Sequence, residues 1–399
     1  MTPAPSGAPG KRPATLARYI AAAVFLLALL AYGFLAACSS VARPAAPPPD
    51  QPTAGQVDVQ VMAQGLANPW SIAFLPDGAA LITERPGRLR LWQPDGGLSA
   101  PIAGVPDVYA AGQGGLLDVA LSPAFADDRR VYLSFAEARD GRAGTAVGYG
   151  VLSQDTRRLE NFKVIFRQNP PLSSGIHFGS RLVFGTDGLL YVTLGDNNQR
   201  AAAQELNQHQ GKVVRITPEG GIPAGNPFAG RSPEAAPVWS YGHRNPQGAA
   251  LHPGTGQLWV HEHGPRGGDE INIVQPGANY GWPLATHGIN YSGLAIPEAQ
   301  GETVEGTVAP HFVWEVSPAI SGMAFYTHGR FPAWQSSLFV GALKQQALIR
   351  LTIDGDRIVA EERLLTDRNQ RIRDVRAGPD GYLYVLTDGP DGQLLRLGL

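Results

Sequence analysis

Eight residues able to bind or move charge are scattered along the sequence in short Gly-rich motifs. Gln113 lies in AGQGGLLDV, His177 in GIHFGSRL and Asp196 in LGDNNQR. Arg244 and Asn245 share YGHRNPQG, Lys344 ends GALK, and Arg371 and Arg373 flank the isoleucine of RIRDV. Taken singly, each has a plain reading: a structural histidine, a turn aspartate, an arginine bracing a loop, a solvated lysine. Taken together, one histidine, one carboxylate and four cations gather more charge at the ends of strands than folding requires. Converging guanidiniums predict an anionic ligand with planar carboxylates, which arginine grips through two parallel hydrogen bonds. A tricarboxylate cofactor suits that set.

A second constellation, HEHGPRGGDEINIVQPGANYGWP (residues 261–283), predicts a divalent cation. Its Gly264-Pro265 turn offers backbone carbonyls, followed by Asp269, Glu270 and Tyr280. Calcium takes six to eight oxygen ligands and tolerates irregular geometry, so these donors favour it. Zinc is the alternative, because His261 and His263, two apart on a strand, point to one face. Ordinary turn chemistry is the third reading of so Gly-rich a stretch.

These residues must be placed by many short strands. With 49 Gly and 34 Pro among 399 residues and only 17% charged residues, the chain is rich in turns and apolar segments. From residue 56 onward a unit recurs, in which an alternating apolar run meets a Pro-Asp-Gly or Gly-type turn and then a second β-rich run. Six copies begin at Trp70, Leu116, Arg181, Asn245, Ile320 and Ile372. The pattern predicts an all-β, six-bladed β-propeller over residues 56–399, in preference to an open sandwich. The last unit lacks a strand, and VDVQVMA (57–63) is a strand without a blade, so the N-terminal strand is expected to close blade six and hide its edge. The stretches 196–240 and 264–318 read as long functional loops.

Residues 1–40 read as a signal segment, in which Lys11, Arg12 and Arg18 precede an uncharged apolar run. It ends in Leu35-Ala36-Ala37-Cys38, which resembles a bacterial lipobox and makes Cys38 the expected site of lipidation. A retained membrane helix is the alternative, since the run just reaches the ~20 residues needed to span a bilayer. Residues 41–55 form a Pro-rich linker. The expected location is the periplasmic side of a bacterial membrane, held by a lipid anchor. A net charge of −2 without a basic run excludes a nucleic-acid partner.

With these motifs in order, the chain resembles the glucose/sorbosone dehydrogenase family over residues 57–399, and within it the aldose sugar dehydrogenases that use pyrroloquinoline quinone (PQQ). The resemblance implies PQQ lying over the propeller channel, held by calcium. It makes His177 the base and Asp196 the carboxylate that orients it, with Gln113 and Arg244 as active-site contacts. Arg244 also stabilises charge on the reduced cofactor, beside Asn245. Lys344, Arg371 and Arg373 bind the PQQ carboxylates, and the carbonyls of Gly264 and Pro265 ligate calcium. Glu270 and Tyr280 supply a further calcium position. The reaction so implied oxidises an aldose at C1 to a lactone and passes electrons to an external acceptor, a quinone or cytochrome. Two other readings stand beside it. One is a calcium-dependent propeller lactonase, which has no use for Lys344, Arg371 and Arg373, and the other is a non-catalytic propeller that binds partners at the cell surface.

Overall fold

In a computed structural model of the chain, the described residues are Met1 and 57–399. The signal segment, the linker and Cys38 lie outside them. Twenty-four strands form six antiparallel sheets of four strands, among the described residues. The first strands of the sheets are Pro69–Phe74, Leu116–Leu121, Gly179–Phe184, Pro246–Leu251, Ile320–Tyr326 and Ile372–Ala377, one for each predicted unit. Each packs against the next and the sixth returns to the first, so these strands line a central channel. The architecture is the expected six-bladed β-propeller.

Closure follows the predicted route. Asp58–Leu66 pairs antiparallel with Gly392–Gly398, placing Asp58 opposite Gly398. The sixth blade is thus built from both ends of the domain, and the edge left by the C-terminal strand is covered.

The hydrophobic core consists of layers between blades. One layer joins Leu81 and Leu89 of blade one to Val119 and Leu133 of blade two. Another returns from Tyr384, Leu386 and Leu394 of blade six to Ile72, Ile82 and Trp92 of blade one. Middle strands are covered on both faces, which is why Ala80–Glu84 and Leu383–Thr387 are buried along their whole length.

The two predicted long loops are not loops throughout. Lys212–Ile216 and Val238–Tyr241 complete blade three, and Asp269–Ile273 and Phe312–Trp314 complete blade four. These strands have only three to five residues, and the Gly and Pro around them mask their alternation. True connections remain on either side of them, and they carry the site.

Midway along the channel, the first strands contribute a charge quartet of which Asp118, Arg181 and Asp374 are buried and Arg376 is partly exposed. Arg181 Nη1 lies 2.8 Å from Asp118 Oδ1, and its Nη2 lies 3.4 Å from Asp374 Oδ1. Arg376 closes the set at 3.0 Å from Asp374 and 3.7 Å from Asp118. Two cations and two anions with satisfied hydrogen bonds make a neutral partition across the channel. Beyond it, the far ends of the first strands surround a mostly apolar basin of about 470 Å³ that includes Phe74, Phe184 and Phe325. On the near side lies a smaller polar cup.

Candidate active site

The cup has a volume of about 200 Å³ and is walled by residues from several blades, among them Gln113, His177, Arg244, Asn245, Arg371 and Arg373. Six of the eight scattered residues therefore meet at one place. Asp196 stands directly behind the wall. Lys344 does not line the cup: the preceding Leu343 does, while the Lys344 side chain is exposed nearby and its backbone N–H bonds the carbonyl of Pro318.

His177 is held from several directions. Its backbone adopts φ 55°, a left-handed conformation uncommon outside glycine, which the surroundings must stabilise. The side chain of Gln113 accepts the His177 N–H at 2.8 Å, and Asn197 Nδ2 donates to the His177 carbonyl at 3.1 Å. Gly195 is required beneath it, because a Cβ there would stand 1.9 Å from the His177 carbonyl oxygen. The imidazole Nδ1 lies 2.7 Å from Asp196 Oδ1, and only 7% of the residue is exposed. Burial pushes the imidazole below its ordinary value, Arg244 adds to the effect, and Asp196 opposes it. A neutral histidine with an oriented ring has the properties that a general base requires.

Asp196 is itself fixed. Trp282 donates its indole N–H to Oδ2 at 2.9 Å, and the Asn198 N–H reaches Oδ1 at 2.7 Å. The Arg244 guanidinium sits 5.3 Å over the Trp282 ring, so one indole contacts both Asp196 and the nearest cation. Below Arg244, Glu262 accepts its backbone N–H and also binds His243 Nδ1 at 2.7 Å.

Four guanidiniums line the cup, from Arg85, Arg244, Arg371 and Arg373, against the single carboxylate of Asp388. Arg371 donates Nε to Asp388 at 2.9 Å, and Arg373 donates to Gln247 Oε1 at 3.1 Å. Burial would raise the Asp388 carboxyl, but Arg373 and Arg371 hold it below its usual range. Positive charge is left over. Arg373 Nε, Asp388 Oδ1 and His263 Nε2 are buried without a partner, so the cup keeps an unspent guanidinium donor as well as surplus positive charge. A compact ligand carrying several carboxylates fits this wall.

Beside the cup, the Gly264-Pro265 turn borders a small chamber with Glu262, Glu270 and Tyr280. A Cβ on Gly264 would meet the carbonyl oxygens of Gly267 and Gly268, each at 2.3 Å, so carbonyl groups crowd here as a hard cation prefers. Glu270 is half-buried near Glu262, and desolvation together with that like charge pushes its carboxyl well up. One sequence expectation changes. Asp269 is a brace, since Oδ1 accepts the Gly264 N–H at 3.0 Å and Oδ2 accepts the Ala319 N–H at 2.8 Å. The Tyr280 hydroxyl is engaged with the Ile273 carbonyl at 2.7 Å, which leaves its backbone oxygen for a metal. For zinc, no group of three His, Cys, Asp or Glu side chains converges among the described residues, and His261 and His263 alone fall short of a zinc site.

The motif order and this geometry agree with a direct comparison: the model of the Glucose / Sorbosone dehydrogenase family matches residues 66–396. The chain belongs to this family. This glucose/sorbosone dehydrogenase family member is 59% identical over 343 residues to Aldose sugar dehydrogenase YliI of Escherichia coli (strain K12), covering 86% of this chain and 92% of that protein. A crystal structure of glucose dehydrogenase shares 65% identity with a TM-score of 0.85, covering 86% of this chain and 99% of the other. The PQQ-bound form of Aldose Sugar Dehydrogenase from Streptomyces coelicolor shares 30% identity with a TM-score of 0.72, covering 88% and 99%.

Several residues of the family member's site escape sequence reasoning. Trp282 lies in the NYGWP motif, but nothing local points its N–H at Asp196, 86 residues away. Gln247 reaches Arg373 from blade four and Asp388 meets it within blade six, while Tyr291 reaches the cup from a connection whose path is not written in its composition.

Proposed function

We propose that this protein oxidises aldose sugars at C1 to lactones, using PQQ and calcium, and passes the electrons to an external acceptor. The observation that carries the reading is the meeting of an oriented, neutral His177 with four guanidiniums around one cavity. The relatives named aldose sugar dehydrogenase and the PQQ-bound Streptomyces structure support it.

Arg371 and Arg373, with Asn245 and Gln113 on the same wall, are the residues to hold PQQ carboxylates and carbonyls, and Lys344 adds charge at the rim. The carbonyls of Gly264 and Pro265 would hold calcium, and Glu270 with the Tyr280 carbonyl would hold a second cation. When bound, PQQ supplies a two-electron acceptor for hydride and calcium a Lewis acid. His177 removes the proton of the anomeric hydroxyl, using the ring nitrogen not engaged by Asp196. Asp196 keeps that tautomer and stabilises the imidazolium that forms. Arg244 places a fixed positive charge where negative charge grows during the reaction.

A lactonase would need the metal and the histidine but not the arginine surplus. The test is reconstitution: apo-protein given PQQ and calcium should show a quinone absorbance that bleaches on adding an aldose, and chelation should abolish it. Absence of PQQ uptake, or restoration by zinc but not calcium, overturns the assignment. We also propose that the chain is exported and anchored on the periplasmic side by lipid on Cys38. Cys38→Ser should release or misprocess it, whereas unchanged membrane attachment with the apolar segment retained would favour a membrane helix.

A further inference from the structure

Of all the Phe, Tyr and Trp residues described, only Tyr291 is exposed, at 75%. It belongs to none of the buried hydrophobic clusters' residues, and among the described residues its hydroxyl enters no hydrogen bond. Folding therefore does not account for its type. Yet it lines the cup that holds His177 and Arg244.

The backbone beneath Tyr291 is fixed although its side chain is not. Tyr291 occupies a tight turn in which the Gly293 N–H bonds the Asn290 carbonyl at 2.9 Å and the Asn290 N–H bonds the Leu294 carbonyl at 2.8 Å. Asn290 Oδ1 accepts from Arg200 Nη2 at 3.1 Å, tying the turn to the helical turn Arg200–Gln204 that follows the Asp196 loop. On the other side, Ile289 pairs with Arg266, one residue beyond Gly264-Pro265, through two backbone bonds of 2.9 and 3.1 Å. The turn is thus anchored both to the loop that carries the proton-handling carboxylate and to the carbonyl-rich turn. An aromatic ring carried on so anchored a turn, beside a polar, cationic cup, suits a ligand with one apolar face and a polar rim.

A pyranose ring has that character: its axial C–H groups form an apolar face, and its hydroxyls point outward to hydrogen-bond partners. We propose that Tyr291 is the stacking platform for the sugar ring, a specificity-determining residue that selects pyranose aldoses. The assignment rests on the aldose reading above. Tyr291 contacts the substrate, and the arginines contact the cofactor, so the two affinities are separable.

The test uses the PQQ- and calcium-loaded protein with Tyr291→Ala and Tyr291→Phe. The alanine variant should raise KM for aldopyranoses about five- to tenfold, the worth of one aromatic contact, while kcat changes less than about twofold. The phenylalanine variant should resemble wild type, because the ring face and not the hydroxyl does the binding. PQQ affinity, titrated by absorbance, should be the same in all three proteins. As a readout apart from turnover, saturation-transfer NMR with 1,5-anhydroglucitol, a pyranose lacking the reacting hydroxyl, should show binding lost in Tyr291→Ala and kept in Tyr291→Phe. An unchanged KM and unchanged anhydroglucitol binding in Tyr291→Ala overturns the proposal, as does equal impairment of both variants or a fall in PQQ affinity. A wild-type protein that takes up PQQ but oxidises no aldose overturns the aldose reading itself, and this assignment with it.

Discussion

Trp282 holds Asp196 through an indole N–H to Oδ2 bond of 2.9 Å, although the two residues belong to different connections and lie 86 positions apart. The same ring packs under Arg244, so a single indole contacts both the carboxylate partner of His177 and the cation. Trp282→Phe keeps the ring and deletes the donor, leaving a buried carboxylate oxygen unpaired. Since such a loss costs ~1–3 kcal/mol, kcat should fall by roughly five- to 150-fold with little change in PQQ affinity. Steady-state kinetics beside a PQQ titration checks this, and an unchanged kcat would show that Asn198 and His177 alone suffice to hold Asp196.

His177→Ala should lower turnover by roughly 10² to 10⁴, the usual share of a general base, while fold and PQQ binding persist. Stopped-flow absorbance of the reductive half-reaction at saturating sugar reads the chemical step directly. Excess PQQ should not rescue it.

The pH profile follows from the environment of His177. Burial and Arg244 outweigh Asp196 and lower the imidazole's affinity for protons, so the neutral base persists to a pH below its ordinary value of 6.5. Activity should therefore hold through neutral pH and fall only as pH drops below 6.5 through the lowered value. Asp196→Asn removes the one opposing interaction, and its acid limb should move further toward low pH even as kcat drops. A limb displaced to higher pH in that variant is the contrary result.

Arg371→Ala should weaken PQQ binding rather than slow chemistry. One charge-assisted contact is worth ~1.5–3 kcal/mol, or roughly 10- to 150-fold in affinity. Turnover should recover with excess PQQ, in contrast to His177→Ala.

The channel quartet sets stability and not catalysis. Asp118 accepts from Arg181 at 2.8 Å, from Ser71 Oγ at 2.5 Å and from the Leu182 N–H at 2.7 Å, all buried. Asp118→Ala leaves Arg181 and Arg376 sharing Asp374 alone, which should cost roughly 3–5 kcal/mol in urea unfolding. KM for the sugar should stay at its wild-type value, because the quartet lies below the floor of the cup.

The sequence by itself determined the repeat, the blade count and the closing strand, because alternation of apolar residues and Gly-type turns are local properties that survive without neighbours. It also marked His177, Asp196, Arg244, Arg371 and Arg373, since each sits in a short motif at a strand end. Tertiary structure alone decided what those residues do to one another. Gln113 reaches the His177 backbone from another blade, Gln247 meets Arg373 across 126 residues, Lys344 stays at the rim, and Asp269 is spent on bracing its own loop. The short strands that complete blades three and four were hidden for a related reason: three to five residues carry too little periodicity, and only pairing with a neighbour makes them strands. Side-chain direction at a strand end depends on register and on the path of the connection that follows. Both are set by contacts between blades, which no local stretch of sequence contains.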